Sequence, residues 1–240
     1  MTTFSLLQAG AQKLGIPLAE VQLGQFARYC EELLAWNQRV NLTAITDPAA
    51  VEALHFLDSL TVALGMVRPL PPGYRVCDVG SGAGFPGVPL KIAFPQIELT
   101  LLEATGKKTA FLTHLVTALG LEGVEVQTGR AEDLAHQARL RESFDLVTAR
   151  AVAELRALLE LTLPFCRVRG RAVLLKKGDS AAETASASRA LQELGGKLQG
   201  VVAVPEDVLP GQRVLVVVDK VQATPARYPR RPGMPAKHPL

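Results

Sequence analysis

Residues 75–87 read Arg-Val-Cys-Asp-Val-Gly-Ser-Gly-Ala-Gly-Phe-Pro-Gly, and these types at this spacing suit the holding of a nucleotide-like cofactor. Gly80, Gly82 and Gly84 remove Cβ atoms where backbone must come close to a ligand. The N–H groups of a following helix would point at that ligand. Residues 82–87 also fit the Gly-x-Gly-x-x-Gly dinucleotide fingerprint. Two details pull away from that reading: the glycines begin earlier, and Asp78 stands inside the strand's end. A pyrophosphate is anionic, so an acid beside its cradle is unfavourable. An acid there suits a ligand carrying an ammonium and a sulfonium, which is the chemistry of S-adenosylmethionine. A tight strand–helix connection with no ligand is the plain alternative, and the acid and the triple glycine weigh against it.

In an open α/β sheet, ligands gather at the carboxyl ends of the strands. The second expected strand ends at Glu103, where an acid about 20 residues after the glycines is placed to accept both ribose hydroxyls. The third runs into Gly129-Arg130-Ala131-Glu132-Asp133; acids there suit the first turn of a helix or an adenine contact equally. The fourth runs into Arg150, expected at a helix start and so against the macrodipole. A cation there suggests a ligand carboxylate, a phosphate or a purine edge; the alternative is a surface pair with Glu154. Two devices are missing. No Asn/Asp-Pro-Pro-aromatic motif ends strand four to orient an exocyclic amine, and Cys30, Cys77 and Cys166 lie in no Pro-Cys or Thr-Cys context for attack on a pyrimidine. A methyl acceptor with a free lone pair, such as guanine N7, needs neither, and catalysis is then mostly positioning. His55, Asp58 and Ser59 fall on one helix face and read as a polar cluster bracing the sheet, with general-base work by His55 as a lesser alternative. The four histidines are too dispersed for a metal site, and no metal is expected.

The elements that must position these groups follow from periodicity. Residues 1–73 read as a helical cap, with Asp47 as N-cap and Pro48 opening its third helix; the Pro/Gly-rich stretch at 69–73 closes it. Residues 74–220 alternate strands (ending at 79, then 97–102, 124–127, 144–148 and 171–176) with helices (107–119, 152–163 and 181–194). A closing pair of strands lies near 197–204 and 213–219. Such alternation predicts an α/β fold with a seven-stranded, mostly parallel, Rossmann-like sheet. Residues 221–240 are rich in Pro and basic residues, which predicts an extended arm, either a passive tail or a phosphate contact on nucleic acid.

Composition bounds the rest. The 240 residues support one large domain with a small appendage. No apolar run reaches membrane-span length, and the first residues lack a secretory pattern. Three scattered cysteines show neither disulfide nor zinc spacing, so a cytoplasmic setting is expected, without membrane association. Nothing requires an oligomer.

Together, residues 37–45, 55–60, 78–90, 101–112, 129–132, 145–153 and 228–233 resemble the bacterial small-subunit ribosomal RNA methyltransferase G family, also called the glucose-inhibited division protein B family. Residues 78–84 are similar to motif I of class I S-adenosylmethionine-dependent methyltransferases. The resemblance implies that fold and methyl transfer from S-adenosylmethionine to N7 of one guanine in 16S rRNA, as rRNA or as a small ribosomal subunit precursor. It implies cofactor contacts at Gly80, Phe85, Ala131, Glu132 and Arg150, beside Asp78, Gly82, Gly84 and Glu103, with Arg150 also the catalytic candidate. Alternatives are a methyltransferase on another substrate and a non-enzymatic RNA-binding factor.

Overall fold

The computed structural model describes residues 4–150, 153–178 and 180–240. Seven strands form one sheet: β1 (Arg75–Val79), β2 (Glu98–Glu103), β3 (Val124–Thr128), β4 (Phe144–Arg150), β5 (Cys166–Lys177), β6 (Gly196–Ala203) and β7 (Arg213–Lys220). Their order is β3-β2-β1-β4-β5-β7-β6. The first five are parallel, and β7 pairs antiparallel with both β5 and β6. The chain winds outward from β1 through β2 to β3, then restarts beside β1 with β4. That reversal opens a crevice at the strands' carboxyl ends, where such sheets bind ligands.

The helices are α1 (Ser5–Lys13), α2 (Glu20–Asn37), α3 (Pro48–Val51), α4 (Asp58–Leu60), α5 (Gly87–Ala93), α6 (Gly106–Ala118), α7 (Ala131–Leu134), α8 (Leu155–Thr162), α9 (Ala181–Ser186), α10 (Ser188–Leu194) and α11 (Met234–Lys237). The Asp47 side chain accepts from Ala50 N at 2.8 Å, capping α3 as its sequence predicts. Between α3 and α4 the helix widens into a π-helical segment, Glu52–Leu57. Such widenings recur at functional sites, and this one carries His55.

Side-chain parity divides the core. Val76, Leu99, Leu101, Leu146 and Val173 face one side and share a cluster with Phe26, Tyr29, Phe56 and Leu57 of the cap and Phe111 of α6. Cys77, Val79, Val147 and Leu174 face the other, with Leu158 of α8 and Leu191 of α10. The cap therefore has no core of its own and completes the sheet's.

Several expected boundaries move. Strand four continues to Arg150 and its helix begins only at Leu155; the expected first helical residue, 152, lies outside the described residues. The expected helix 181–194 is two helices. Strand five starts earlier, at Cys166, with a register shift against β4. The largest correction is the arm. Rather than extending into solvent it folds onto the α8 face, with Tyr228 buried and the turn α11 near its end. Proline is tolerated there because Pro235 occupies the first turn, where N–H groups lack helical partners.

Candidate functional site

The glycine loop leaves β1 and is pinned to β2: Gly80 N and Ser81 N donate to Leu102 O at 2.8 and 3.0 Å. Gly80, Gly82 and Gly84 have φ of +72°, +59° and +98°, which β-carbon-bearing residues rarely adopt. At Gly84 the space a Cβ would take is filled by protein. A Cβ there would lie 2.7 Å from Tyr29 Oη and 2.9 Å from Val88 Cγ2. This glycine lets α2 press onto the loop.

Asp78 is fully buried beneath the loop, on the face that carries the cap. Its Oδ2 accepts from Gly87 N at 3.0 Å, while Oδ1 has no hydrogen-bond partner. Burial pushes its pKa up to about 7, opposed by the Gly87 N–H. The first N–H of α5, which in a dinucleotide site would face pyrophosphate, is thus taken by a carboxylate. A buried acceptor with an unused oxygen fits a cationic ligand, not an anionic one.

Glu103 ends β2 with its side chain buried. Its Oε2 accepts from Gly82 N at 3.0 Å and its Oε1 from Thr105 N at 2.8 Å. A carboxylate has about four lone-pair sites, so both ribose hydroxyls can still be accepted. Glu103 lines a cleft with Val79, Gly80, Ala131, Glu132 and Leu161. Glu132 is buried, its Oε1 taking hydrogen bonds from Gly233 N at 2.9 Å and Arg130 Nη2 at 3.2 Å. The structure thus brings Gly80, Glu103, Ala131 and Glu132 to one cleft.

Arg150 sits elsewhere than its sequence suggests. It is the last residue of β4, and parity turns it toward the cap with Leu146. Its Nη1 donates to Leu54 O at 3.0 Å and to Asp58 Oδ2 at 3.1 Å. Its guanidinium carbon stands 4.8 Å from the Phe85 ring centroid. Glu154, the alternative partner, pairs instead with Arg156. Arg150 Nη2 lies 3.1 Å from His55 Nδ1. The same Nδ1 lies 3.1 Å from Leu54 O, and Nε2 lies 2.8 Å from Thr43 Oγ1. Burial and then the Arg150 charge pull the His55 pKa down to about 4. Both nitrogens are engaged and the ring is a weak base, which suits bracing better than proton abstraction.

Phe85 is the hub. It stacks on His55 at 4.4 Å and on Tyr29 at 5.2 Å, and Tyr29 Oη donates to Ala83 O at 2.5 Å. Tyr29 was legible only as one apolar residue on a helix face. Arg213 was not legible at all: it comes from β7, and its Nε lies 3.0 Å from Asp58 Oδ1. Asp58 therefore holds two arginines.

A family model described as rRNA small subunit methyltransferase G matches residues 22–214. Ribosomal RNA small subunit methyltransferase G of Dehalococcoides mccartyi strain CBDB1 is 50% identical over 231 residues, covering 96% of this chain and 97% of that protein. The protein of the same name from Geobacillus thermodenitrificans is 43% identical over 236 residues, covering 97% of each. Among solved structures, a SAM-dependent methyltransferase from Aquifex aeolicus superposes with a TM-score of 0.52 at 19% identity, over 73% of this chain and 94% of that one. Geranyl diphosphate C-methyltransferase from Streptomyces coelicolor A3(2), solved with Mg2+, geranyl diphosphate and S-adenosyl-L-homocysteine, gives 0.55 at 16% identity, over 80% and 98%. At these identities the two structures speak for the fold.

Proposed function

The chain belongs to the rRNA small subunit methyltransferase G family, and from that premise we propose that it transfers a methyl group from S-adenosylmethionine to N7 of a guanine in 16S rRNA. The observation that carries the cofactor half is Glu103, hydrogen-bonded to the glycine loop at the wall of the cleft with acceptor capacity to spare for a ribose diol. Gly80 and Gly82 bring backbone to the cofactor, Asp78 supplies a buried negative charge for its cationic end, and Ala131 and Glu132 border its base. When bound, the cofactor supplies an electrophilic methyl on sulfonium.

The chain's own task is then to place the acceptor. Guanine N7 carries a free lone pair, so no residue must remove a proton before attack. This agrees with a site whose one nearby imidazole is neutral and fully engaged. Arg150, clamped by Asp58 and Leu54 O above Phe85, presents a fixed cation at the end of β4. It orients the acceptor purine or the cofactor carboxylate and takes up no proton. Precise placement of reacting atoms is itself worth several orders of magnitude in rate.

Ribosomal particles or rRNA from a strain lacking the enzyme, methylated with radioactive cofactor, test the assignment. Borohydride reduction followed by aniline should cleave the RNA at the labelled nucleoside, and digestion should yield 7-methylguanosine. Label recovered as an exocyclic or C5 methyl would overturn the N7 assignment. No helix of the described residues is long and apolar enough to cross a membrane, and we place the reaction in the cytoplasm, where its RNA substrate is made.

A further inference from the structure

The C-terminal arm touches the cofactor cleft. Three cations fasten it. Lys220 Nζ is buried and donates to Leu163 O and Thr224 Oγ1, each at 2.6 Å, beside Glu142 at 3.1 Å. Arg141, from the domain, donates to the arm carbonyls of Thr224, Pro225 and Tyr228. Arg230 grips Glu160 of α8, itself fully buried, through its backbone N at 2.7 Å, Nε at 2.9 Å and Nη2 at 2.6 Å. Three residues later Gly233, at φ +83°, points its N–H at Glu132 Oε1.

Glu132 is a wall of the cleft. A ribose held on Glu103 at the end of β2 would direct the base toward the segment that follows β3, where Ala131, Glu132 and Leu161 line the same cleft. Burial pushes the Glu132 pKa up, but the Gly233 N–H and Arg130 more than offset this and hold it below the usual range. The group is thus an ionised acceptor, with one oxygen fixed by the arm. We propose that the C-terminal arm, through the Gly233 N–H, orients the Glu132 carboxylate to accept from the 6-amino group of the cofactor's adenine, making the arm a specificity element of the cofactor site. A purine with a carbonyl at that position would set acceptor against acceptor. The inference rests on the cofactor reading above.

The test compares binding of S-adenosylhomocysteine and S-inosylhomocysteine by calorimetry. The variants are the full chain and a chain ending at Pro232, which keeps the Lys220, Tyr228 and Arg230–Glu160 anchors and loses the Arg230 bond to His238 O. The full chain should prefer the adenosyl ligand by about 10- to 100-fold, the worth of one hydrogen bond to a charged group. In the shortened chain the preference should shrink to within about threefold, mainly through weaker adenosyl binding. A folded shortened chain with its preference intact overturns the inference. Hydrogen exchange on the full chain gives a second reading that needs no truncation: the adenosyl ligand should slow exchange at residues 233–238 more than the inosyl ligand does. Equal protection by both also overturns it. If the full chain binds neither ligand, the cofactor reading itself falls.

Discussion

Replacing Asp78 by asparagine tests the electrostatic reading of the glycine loop. Asp78 is completely enclosed, with Oδ2 on Gly87 N and Oδ1 unpartnered. Its pKa rises from 3.8 to about 7, chiefly through burial. Between those values the folded protein holds a proton that the unfolded chain has lost. Stability from this group is therefore present below pH about 4 and lost as pH rises to about 7. A shift of roughly three units corresponds to about 4 kcal/mol. In Asp78→Asn that contribution no longer titrates. Urea unfolding at pH 4.5, 6 and 7.5 should show the variant gaining on the wild type with rising pH, by about 3–4 kcal/mol over the full span. The same residue should report on the ligand. A sulfonium or ammonium brought near favours the carboxylate, so S-adenosylmethionine binding at pH 7 should release up to about half a proton, and S-adenosylhomocysteine less. Calorimetry in buffers of different ionisation enthalpy measures this. Equal proton release by both ligands, unchanged in Asp78→Asn, would refute the assignment of Asp78 to the cofactor's cationic end. A stability difference independent of pH would refute the burial argument.

Other outcomes follow from the same geometry. Arg150→Lys replaces a guanidinium that reaches Leu54 O, Asp58 and His55 together with a single point charge; methyl transfer should fall by about 100-fold with a much smaller change in cofactor affinity, read as kcat against Kd. Arg230→Ala removes the charge that pairs with buried Glu160, leaving it only the backbone N–H of residue 230, and should cost about 3 kcal/mol in urea unfolding, whereas the double variant Arg230→Met, Glu160→Leu should recover most of it. Of the arm's cations, Arg227 and Arg230 already face carboxylates, as does Lys220 at its root. Removing Arg231 and Lys237 together should therefore lower the slope of log K against log salt for RNA binding by about 1.5; an unchanged slope would exclude them from the RNA contact.

The parts legible in the sequence are those where local chemistry decides. The glycine loop, the acid ending β2, the Asp47 cap and the order of strands and helices all rest on neighbours in the chain, and the structure places them close to expectation. What failed depended on partners distant in sequence. Arg150 reads as a helix-start cation because nothing nearby says that β4 runs two residues further. Its partner Asp58 lies 92 residues away, and Arg213 arrives from the far side of the sheet. The arm misled for a related reason. Its charge run looks unpaired because Glu142, Glu160 and Glu193 are scattered over three separate segments. Glu160 in particular is fully enclosed and anchors Arg230 from 70 residues away.

Both ends of the chain thereby reach the carboxyl ends of the parallel strands. The N-terminal cap fixes Arg150 and Phe85 on one face of the sheet through Asp58, His55 and Tyr29. The C-terminal arm fixes Glu132 at the cleft through Gly233. Each of these segments depends on the domain for its own fold, since the cap shares the sheet's core and Tyr228 of the arm belongs to the opposite cluster. Damage to either segment should therefore register first at the ligand. Loosening the cap frees the Arg150 and Phe85 hub and should impair placement of the acceptor, while loosening the arm frees Glu132 and should impair recognition of the base. That division separates kcat from cofactor affinity by which terminus is disturbed.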